Sequence, residues 1–396
     1  MPETQHEKMN VDEKYKVLRN LHRRYELAKR SERSQILDSA EEVTGLSRKH
    51  LITLLNKPGP LRRERTKQRG STYRAKVRET IRIVARALDW CCAERLQPAL
   101  AEAALHLNGL GLLNITPELM TQLNTISISS VERILKRIRQ DEPRLPQRRG
   151  RPTQLTHIQR EIPVSRIPWD EREPGHFEID TVHHCGSSAK GDYVCTVQWI
   201  DVATGWSERA AIFGRSEKET VSAFERILER CPIRVLELHP DNGSEFLNAH
   251  LMRYFEDKVK GATLTRSRPF HKNDNRFVEQ KNSSLVRAYL RHVRLDQRAQ
   301  TDKLNQLYEL MGVYYNLFQP VLRQKTKLRL VDSTGKAHYY RNHDRAQTPF
   351  QRLVATGIVD DSERSKWQSL YDRTNPIALK QQIDDLLHAL LVSSKY

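Results

Sequence analysis

Three acidic residues stand in settings that surface charge explains poorly. Asp180 lies among strand formers, Phe177, Ile179, Thr181 and Val182. A carboxylate amid such residues is costly unless something binds it, so we read Asp180 as a metal ligand. Asp241 sits in H-P-D-N-G-S-E-F (239–246), and Glu279 sits in N-D-N-R-F-V-E-Q-K-N (273–282). Thirty-seven residues separate Asp241 from Glu279. In an open α/β sheet, ligand sites gather at strand ends near a topological switch. Three carboxylates converging there repel one another. They suit two divalent, oxygen-seeking cations, Mg2+ or Mn2+. Such a pair stands about 3.5–4 Å apart and clamps the attacking and leaving oxygens of an in-line phosphoryl displacement. Taken singly, each acid reads more naturally as a solvated surface charge; only the combination carries the metal reading.

The elements that must position these acids lie in residues 170–320. Residues 174–201 read as a strand carrying Asp180, a Gly-bearing turn, and a second strand of β-branched and aromatic residues. Asp201, Thr204 and Gly205 make a hairpin turn into a third strand, 206–214. Ser216 with Glu219 opens a helix as a capping box. A short apolar strand ends at Asp241, a helix over 244–257 and a short strand over 262–267 follow, and Glu279 opens a long helix over 276–295. A further helix runs to Pro320. This order of elements predicts a mixed five-stranded α/β sheet flanked by helices.

The residues before this core read as all-α. Residues 11–31 form a charged amphipathic helix. Ala40, Val43, Gly45, Leu46, Leu51, Ile52 and Leu55 fall where a helix-turn-helix needs them, with Ser47 as N-cap of its second helix. Arg48, Lys49 and His50 open that helix, where a recognition helix meets base edges and phosphates. Residues 61–86 hold ten Lys or Arg against two Glu, a linker suited to lie along phosphates. A second helical unit follows, with Pro98 marking an N1 position or a break and Thr116-Pro117-Glu118 marking a helix start. Val131, Ile134, Leu135 and Ile138 make one apolar stripe, and Arg133 and Arg137 lie on other faces as DNA candidates. Arg149 and Arg151 lie in a slim Pro- and Arg-rich linker that could enter a minor groove. The expected domains are 1–60, a basic linker over 61–74, 75–142, a linker over 143–169, the core over 170–320 and a tail over 321–396.

Composition points the same way. The chain of 396 residues is 38% apolar, enough for real cores, and carries a net charge of +18. Such an excess favours a polyanionic partner, nucleic acid first. The five cysteines are odd in number and irregularly spaced, against a disulfide framework and fitting a reducing cytoplasm. No apolar run approaches the roughly 18–20 residues of a membrane span, and the first residues lack the apolar stretch of a signal peptide. A cytoplasmic, nucleoid-associated protein is the expectation.

Residues 174–295 resemble the catalytic core shared by retroviral-type integrases and the DDE transposases of bacterial insertion sequences, the ISNCY group among them. The two acidic strings and their near-35-residue spacing carry the resemblance. It implies an RNase H-like fold, helix-turn-helix units first and a small hairpin with a helical tail last. It implies that Asp180 bridges two metals while Asp241 and Glu279 each complete one site, and that Asn242 and Gly243 shape the turn after Asp241. Implied partners are double-stranded DNA, both transposon ends and target, and a second copy of the chain in a homodimer or higher oligomer. The family's glutamate is usually followed by lysines at one and two turns, whereas those places here hold Ser283 and Val286. DNA contact along that helix then falls to Arg276, with Lys272 and Lys281 flanking. A nuclease acting on RNA hybrids and a non-enzymatic DNA-binding regulator are the rival readings. In the tail, 327–341 reads as a hairpin whose basic residues interleave with Tyr339 and Tyr340. Leu386, Leu387, Leu390 and Leu391 make a stripe for the core or for another subunit.

Overall fold

The structure is a computed structural model that describes Met9 and residues 11–57, 72–138, 171–240, 254, 258–259, 261–265, 276–331 and 337–393. Two compact units divide near residue 72.

The first unit is three helices, α1 (Val11–Leu27), α2 (Arg30–Thr44) and α3 (Arg48–Leu55). Leu18, Ile36, Leu37, Ala40, Leu51 and Leu55 form its core. Gly45 takes the left-handed conformation that ends α2 (φ 63°), and its N–H closes on the Glu41 carbonyl. Glycine reaches that conformation without steric cost. Ser47 is the N-cap residue of α3, but the Glu41 carboxylate, not the Ser47 hydroxyl, accepts from the Arg48 N–H (3.1 Å). Val43 and Ile52 fit the apolar pattern, yet both remain exposed.

In the second unit, α4 (Ala75–Ala87), α5 (Ala93–Gly109), α6 (Pro117–Thr125) and α7 (Ile128–Ile138) share one hydrophobic cluster with the sheet. Thr116 caps α6 by accepting from the Leu119 N–H, with Pro117 at N1. Pro98 is neither a first helical residue nor a break, because α5 runs through it. Leu96, Leu100, Ala104 and Leu107 bury the face of that helix completely, and this packing outweighs the lost backbone bond.

The sheet has five strands in the order β3-β2-β1-β4-β5: β1 (His176–His183), β2 (Val194–Asp201), β3 (Ser207–Phe213), β4 (Glu237–Pro240) and β5 (Thr263–Leu264). The first three pair antiparallel, and β4 and β5 run parallel to β1. This is the expected mixed five-stranded sheet, and it is consistent with an RNase H-like core. On one face Phe177 and Trp199 pack against Phe224 of α8 (Glu217–Arg230), with the Trp199 and Phe224 rings edge to face at 4.9 Å. Ser216 caps α8, while the Glu219 carboxylate turns to Arg298 (3.3 Å).

The other face carries α9 (Arg276–Lys281), which continues through a π-helical stretch (Asn282–Arg287) to a last α turn (Ala288–Leu290). The helix therefore stops five residues short of the expected end, at Arg291 with φ 56°. Beside it runs α10 (Arg298–Val313), extended by a π-helical stretch (Tyr314–Phe318). Two asparagines of this helix act as an artificial strand. Asn305 takes the Ala211 N–H and gives its amide to the Ala211 carbonyl (2.7 and 3.0 Å), and Asn316 does the same with Ser207 (3.0 and 3.1 Å). The outer edge of β3 is thereby satisfied.

The tail begins with a two-stranded ribbon, β6 (Gln324–Val331) and β7 (Ala337–His343), as expected. Helices α11 (Pro349–Thr356), α12 (Asp361–Arg373) and α13 (Pro376–Ser393) follow. Leu379, Ile383 and Leu390 of α13 are buried, with Leu386 and Leu387 packed beside them, so the leucine stripe docks on its own core.

Candidate active site

Strand β1 alternates its faces, so Phe177 and Ile179 enter the core while Glu178 and Asp180 share the face toward α9. Asp180 is half-buried. Its Oδ1 accepts the Thr181 N–H (2.8 Å) and its Oδ2 accepts the Asn282 side-chain amide (2.5 Å). Glu178, only 1% exposed, accepts the backbone N–H groups of Phe277 and Val278 (2.8 and 2.9 Å). These are unpaired donors at the start of α9, where the helix dipole also favours a negative charge. The helix bearing Glu279 is thus held to the central strand at both ends of its first turn and a half. Val278 is buried beneath it, Glu279 is exposed, and the Arg323 guanidinium covers the Phe277 ring at 4.8 Å.

Strand β4 approaches from the other side of β1, with Pro240 opposite Ile179. Asp241, Asn242 and Gly243 lie outside the described residues, as does Lys272. At the base of β4 a polar chain locks the two strands together. His176 Nδ1 meets Glu237 Oε2 (2.7 Å), Thr265 donates to Glu237 Oε1 (2.6 Å), and His239 Nδ1 meets the Thr265 hydroxyl (2.7 Å).

Behind Asp180 the same sheet face carries Gln198 on β2 and Arg209 on β3, in direct register. Both are fully buried, and Arg209 stands 5.7 Å from the rings of Tyr308 and Tyr315. Lys281 is turned into this basic interior and is half-buried. Desolvation, then the charges of Arg95, Arg323 and Arg209, bring its pKa down to about 7.

The other candidate DNA contacts divide. Lys49, His50 and Arg137 are exposed. Arg48 is committed within its own unit, to Asp38 and to the Ser34 hydroxyl. Arg133 is exposed and folds back on Ser129 and Ser130. Arg276 opens α9, and Arg149 and Arg151 lie outside the described residues. Sequence reading missed Glu178 and the tie from Asn282 to Asp180. Glu178 did leave a signal, since it shares strand parity with Asp180.

Among the described residues, no group of three or more His, Cys, Asp or Glu side chains gathers to hold a metal. The donors present, the half-buried Asp180 carboxylate and the exposed Glu279 carboxylate, are hard oxygen ligands that fit a divalent cation such as Mg2+. No helix among the described residues is long and apolar enough to cross a membrane.

No family model matches the chain. A relative from Sinorhizobium fredii, named "Uncharacterized protein y4rM", is 33% identical over 308 residues, covering 78% of this chain and 87% of its own. The chain belongs to the y4rM family. Among solved structures, the chain is similar to the HTLV-2 integrase catalytic core domain in complex with magnesium, in its trimeric form. That alignment has 22% identity and covers 28% of this chain and 66% of the other, with a TM-score of 0.22. Superposition at that level carries no weight, so the fold of this y4rM-family chain rests on its strand order and registers.

Proposed function

We propose that this protein is a DDE-type DNA transposase, a polynucleotidyl transferase that binds the terminal inverted repeats of an insertion sequence and cuts and joins their strands. The observation that carries the reading is the pair of ties between the strand of Asp180 and the helix of Glu279: Glu178 to the N–H groups of Phe277 and Val278, and Asn282 to Asp180. They bring two of the three acids onto neighbouring elements, and β4 ends at Pro240, opposite Ile179 and one residue before Asp241 in sequence.

In this reading Asp180, Asp241 and Glu279 hold two Mg2+ or Mn2+ ions, which when bound supply an activated water and stabilise the leaving oxygen. The chain's own residues set the geometry. Glu178 fixes the start of α9, and Asn282 orients the Asp180 carboxylate. Cleavage forms a bond from water oxygen to phosphorus and breaks the bond from phosphorus to the 3′-oxygen, leaving a 3′-hydroxyl and a 5′-phosphate. In strand transfer that hydroxyl attacks a target phosphodiester, and a target 3′-hydroxyl departs. Recognition of the ends falls to the first helical unit, with Lys49 and His50 exposed on α3, and to Arg133 and Arg137 on α7. Two ends must be joined in concert, so the working form is a homodimer or larger on double-stranded DNA.

The test is a strand-transfer assay with labelled DNA bearing the element's ends, comparing wild type with Asp180→Asn. Metal-dependent joining that disappears in the variant while end binding persists is expected. Joining that survives in the variant contradicts the site, and binding without cleavage in the wild type favours a regulator.

A further inference from the structure

The helix that carries Glu279 is tied at a second place, beyond the candidate metal ligands. Its last α turn, Ala288–Leu290, holds the half-buried Tyr289. The Tyr289 hydroxyl donates to Asp89 Oδ2 (3.0 Å), and the hydroxyls of Tyr289 and Tyr315 meet. A phenol has one proton and an ionised carboxylate only accepts, so Tyr315 donates to Tyr289 in turn. Burial, with Tyr315 and Asp89 beside it, raises the Tyr289 pKa, and the hydroxyl keeps its proton as a donor. Lys380 of α13 stands 5.8 Å from the centre of the Tyr289 ring, with its ammonium 3.8 Å from Asp89 Oδ1 and 2.6 Å from Asp384.

The turn that presents Asp89 is an unusual one. At the end of α4 the Trp90 N–H closes on the Ala85 carbonyl (2.7 Å), and Asp89 and Trp90 take left-handed backbone in succession (φ 50° and 53°). Glycine is the common residue at such a helix end, because it takes that backbone without steric cost. A strained backbone of this kind persists where its surroundings fix it, and it is found most at functional sites. Here the Tyr314 hydroxyl fixes the turn by donating to the Ala87 carbonyl (2.8 Å).

The helix is therefore held at both ends, by Glu178 and Asn282 near Glu279 and by Asp89 past the π-helical stretch Asn282–Arg287. Misplacing a reacting group by about 1 Å costs up to roughly a hundredfold in rate. We propose that Asp89 is a positioning residue for the candidate active site, holding the far end of the Glu279 helix through the Tyr289 hydroxyl. Asp89 belongs to the turn between α4 and α5, so the helices that precede the sheet brace the helix of the acid directly. The inference rests on the transposase reading.

The experiment measures cleavage of labelled DNA bearing the element's ends by the full chain in Mn2+, with DNA affinity and Tm measured beside it. It compares wild type, Asp180→Asn, Tyr289→Phe, Asp89→Asn, Asp89→Gly and the Asp89→Gly, Tyr289→Phe double variant. Glycine suits the left-handed backbone and phenylalanine removes one oxygen, so both substitutions spare the fold. Tyr289→Phe and Asp89→Gly are each expected to lower the rate at saturating DNA about three- to tenfold, the worth of one hydrogen bond, with DNA affinity and Tm kept. Asp89→Asn, which tolerates the same backbone and keeps an acceptor oxygen, restores part of the rate. The double variant is expected to be no slower than either single one, because both remove the same contact. A wild type that cleaves, and that Asp180→Asn silences, with Tyr289→Phe equally fast, overturns this inference alone. So do losses that multiply in the double variant, or that fall on rate, affinity and Tm together. A wild type that does not cleave, or an active Asp180→Asn, overturns the transposase reading and this inference with it.

Discussion

The carboxylate of Glu178 accepts the backbone N–H of Val278 at 2.9 Å, and Val278 is the residue immediately before Glu279. A buried acid of the central strand therefore sets where the helix begins. Removing it leaves two N–H groups without their charged acceptor, a loss of about 1–3 kcal/mol. Glu178→Ala should lower the denaturant midpoint accordingly and abolish cleavage, while Glu178→Gln, which keeps one acceptor oxygen, should lose less of both. Equal activity in Glu178→Ala and wild type would show that α9 needs no such anchor.

Asn282 holds the other end of this contact. Asn282→Ala should leave the fold in place, as judged by circular dichroism, while reducing the cleavage rate at saturating DNA by roughly tenfold, the effect of one charge-assisted hydrogen bond. Kinetics separating the rate from DNA affinity check it, because the account places the loss in the rate.

The artificial strand made by Asn305 and Asn316 guards the edge of β3. Each alanine substitution leaves a buried N–H and a carbonyl unpaired, costing about 1–3 kcal/mol. Asn305→Ala and Asn316→Ala should each lower the Tm, and the double variant should aggregate on heating because an open strand edge is exposed. Light scattering during thermal unfolding reads this directly.

Acid should destabilise the protein through His184. It is fully buried, with Nε2 2.7 Å from the Thr196 hydroxyl, and burial, then the charges of Arg287 and His183, lower its pKa to about 3. The unfolded chain takes up this proton below about pH 6.5. The stabilisation is thus complete above that pH and is lost as pH falls toward 3, by at most about 1.4 kcal/mol per unit. The difference between wild type and His184→Gln in urea midpoint at pH 7.5 and pH 4.5 isolates the contribution. The wild type should lose more.

In the ribbon of β6 and β7, Lys327 lies opposite Arg341 and Leu328 opposite Tyr340, and an irregularity interrupts the pairing between Gln324 and Thr326, where Lys325 stands. Lys325 and Arg341 are exposed, and Leu328 and Leu330 are 60% and 54% exposed. A two-stranded ribbon fits a DNA major groove. Lys325→Ala and Arg341→Ala should each reduce the slope of log binding constant against log salt by about 0.9, with Tm unchanged. An unaltered slope removes the ribbon from the DNA interface.

Much of this was legible in the chain because the signals were local. Thr116-Pro117 and Ser216 announce their helices, Gly45 announces the turn, and alternation around Asp180 announces a strand. The π-helical winding at Asn282 was not, since no residue pattern distinguishes it from α-helix. Pro98 misled because burial of the whole α5 face outweighs a local breaker. Asn305 and Asn316 read as ordinary polar helix residues, and their partners lie some hundred residues away. The leucine stripe of α13 left its partner open, and only the fold identifies α10.

The most direct test of the metal site is a crystal of the protein grown with MnCl2 and measured for anomalous scattering. The account predicts two peaks, about 3.5–4 Å apart, between Asp180 and Glu279 and beside the end of β4. A protein that cleaves DNA in Mn2+ yet shows no peak at these carboxylates would contradict it.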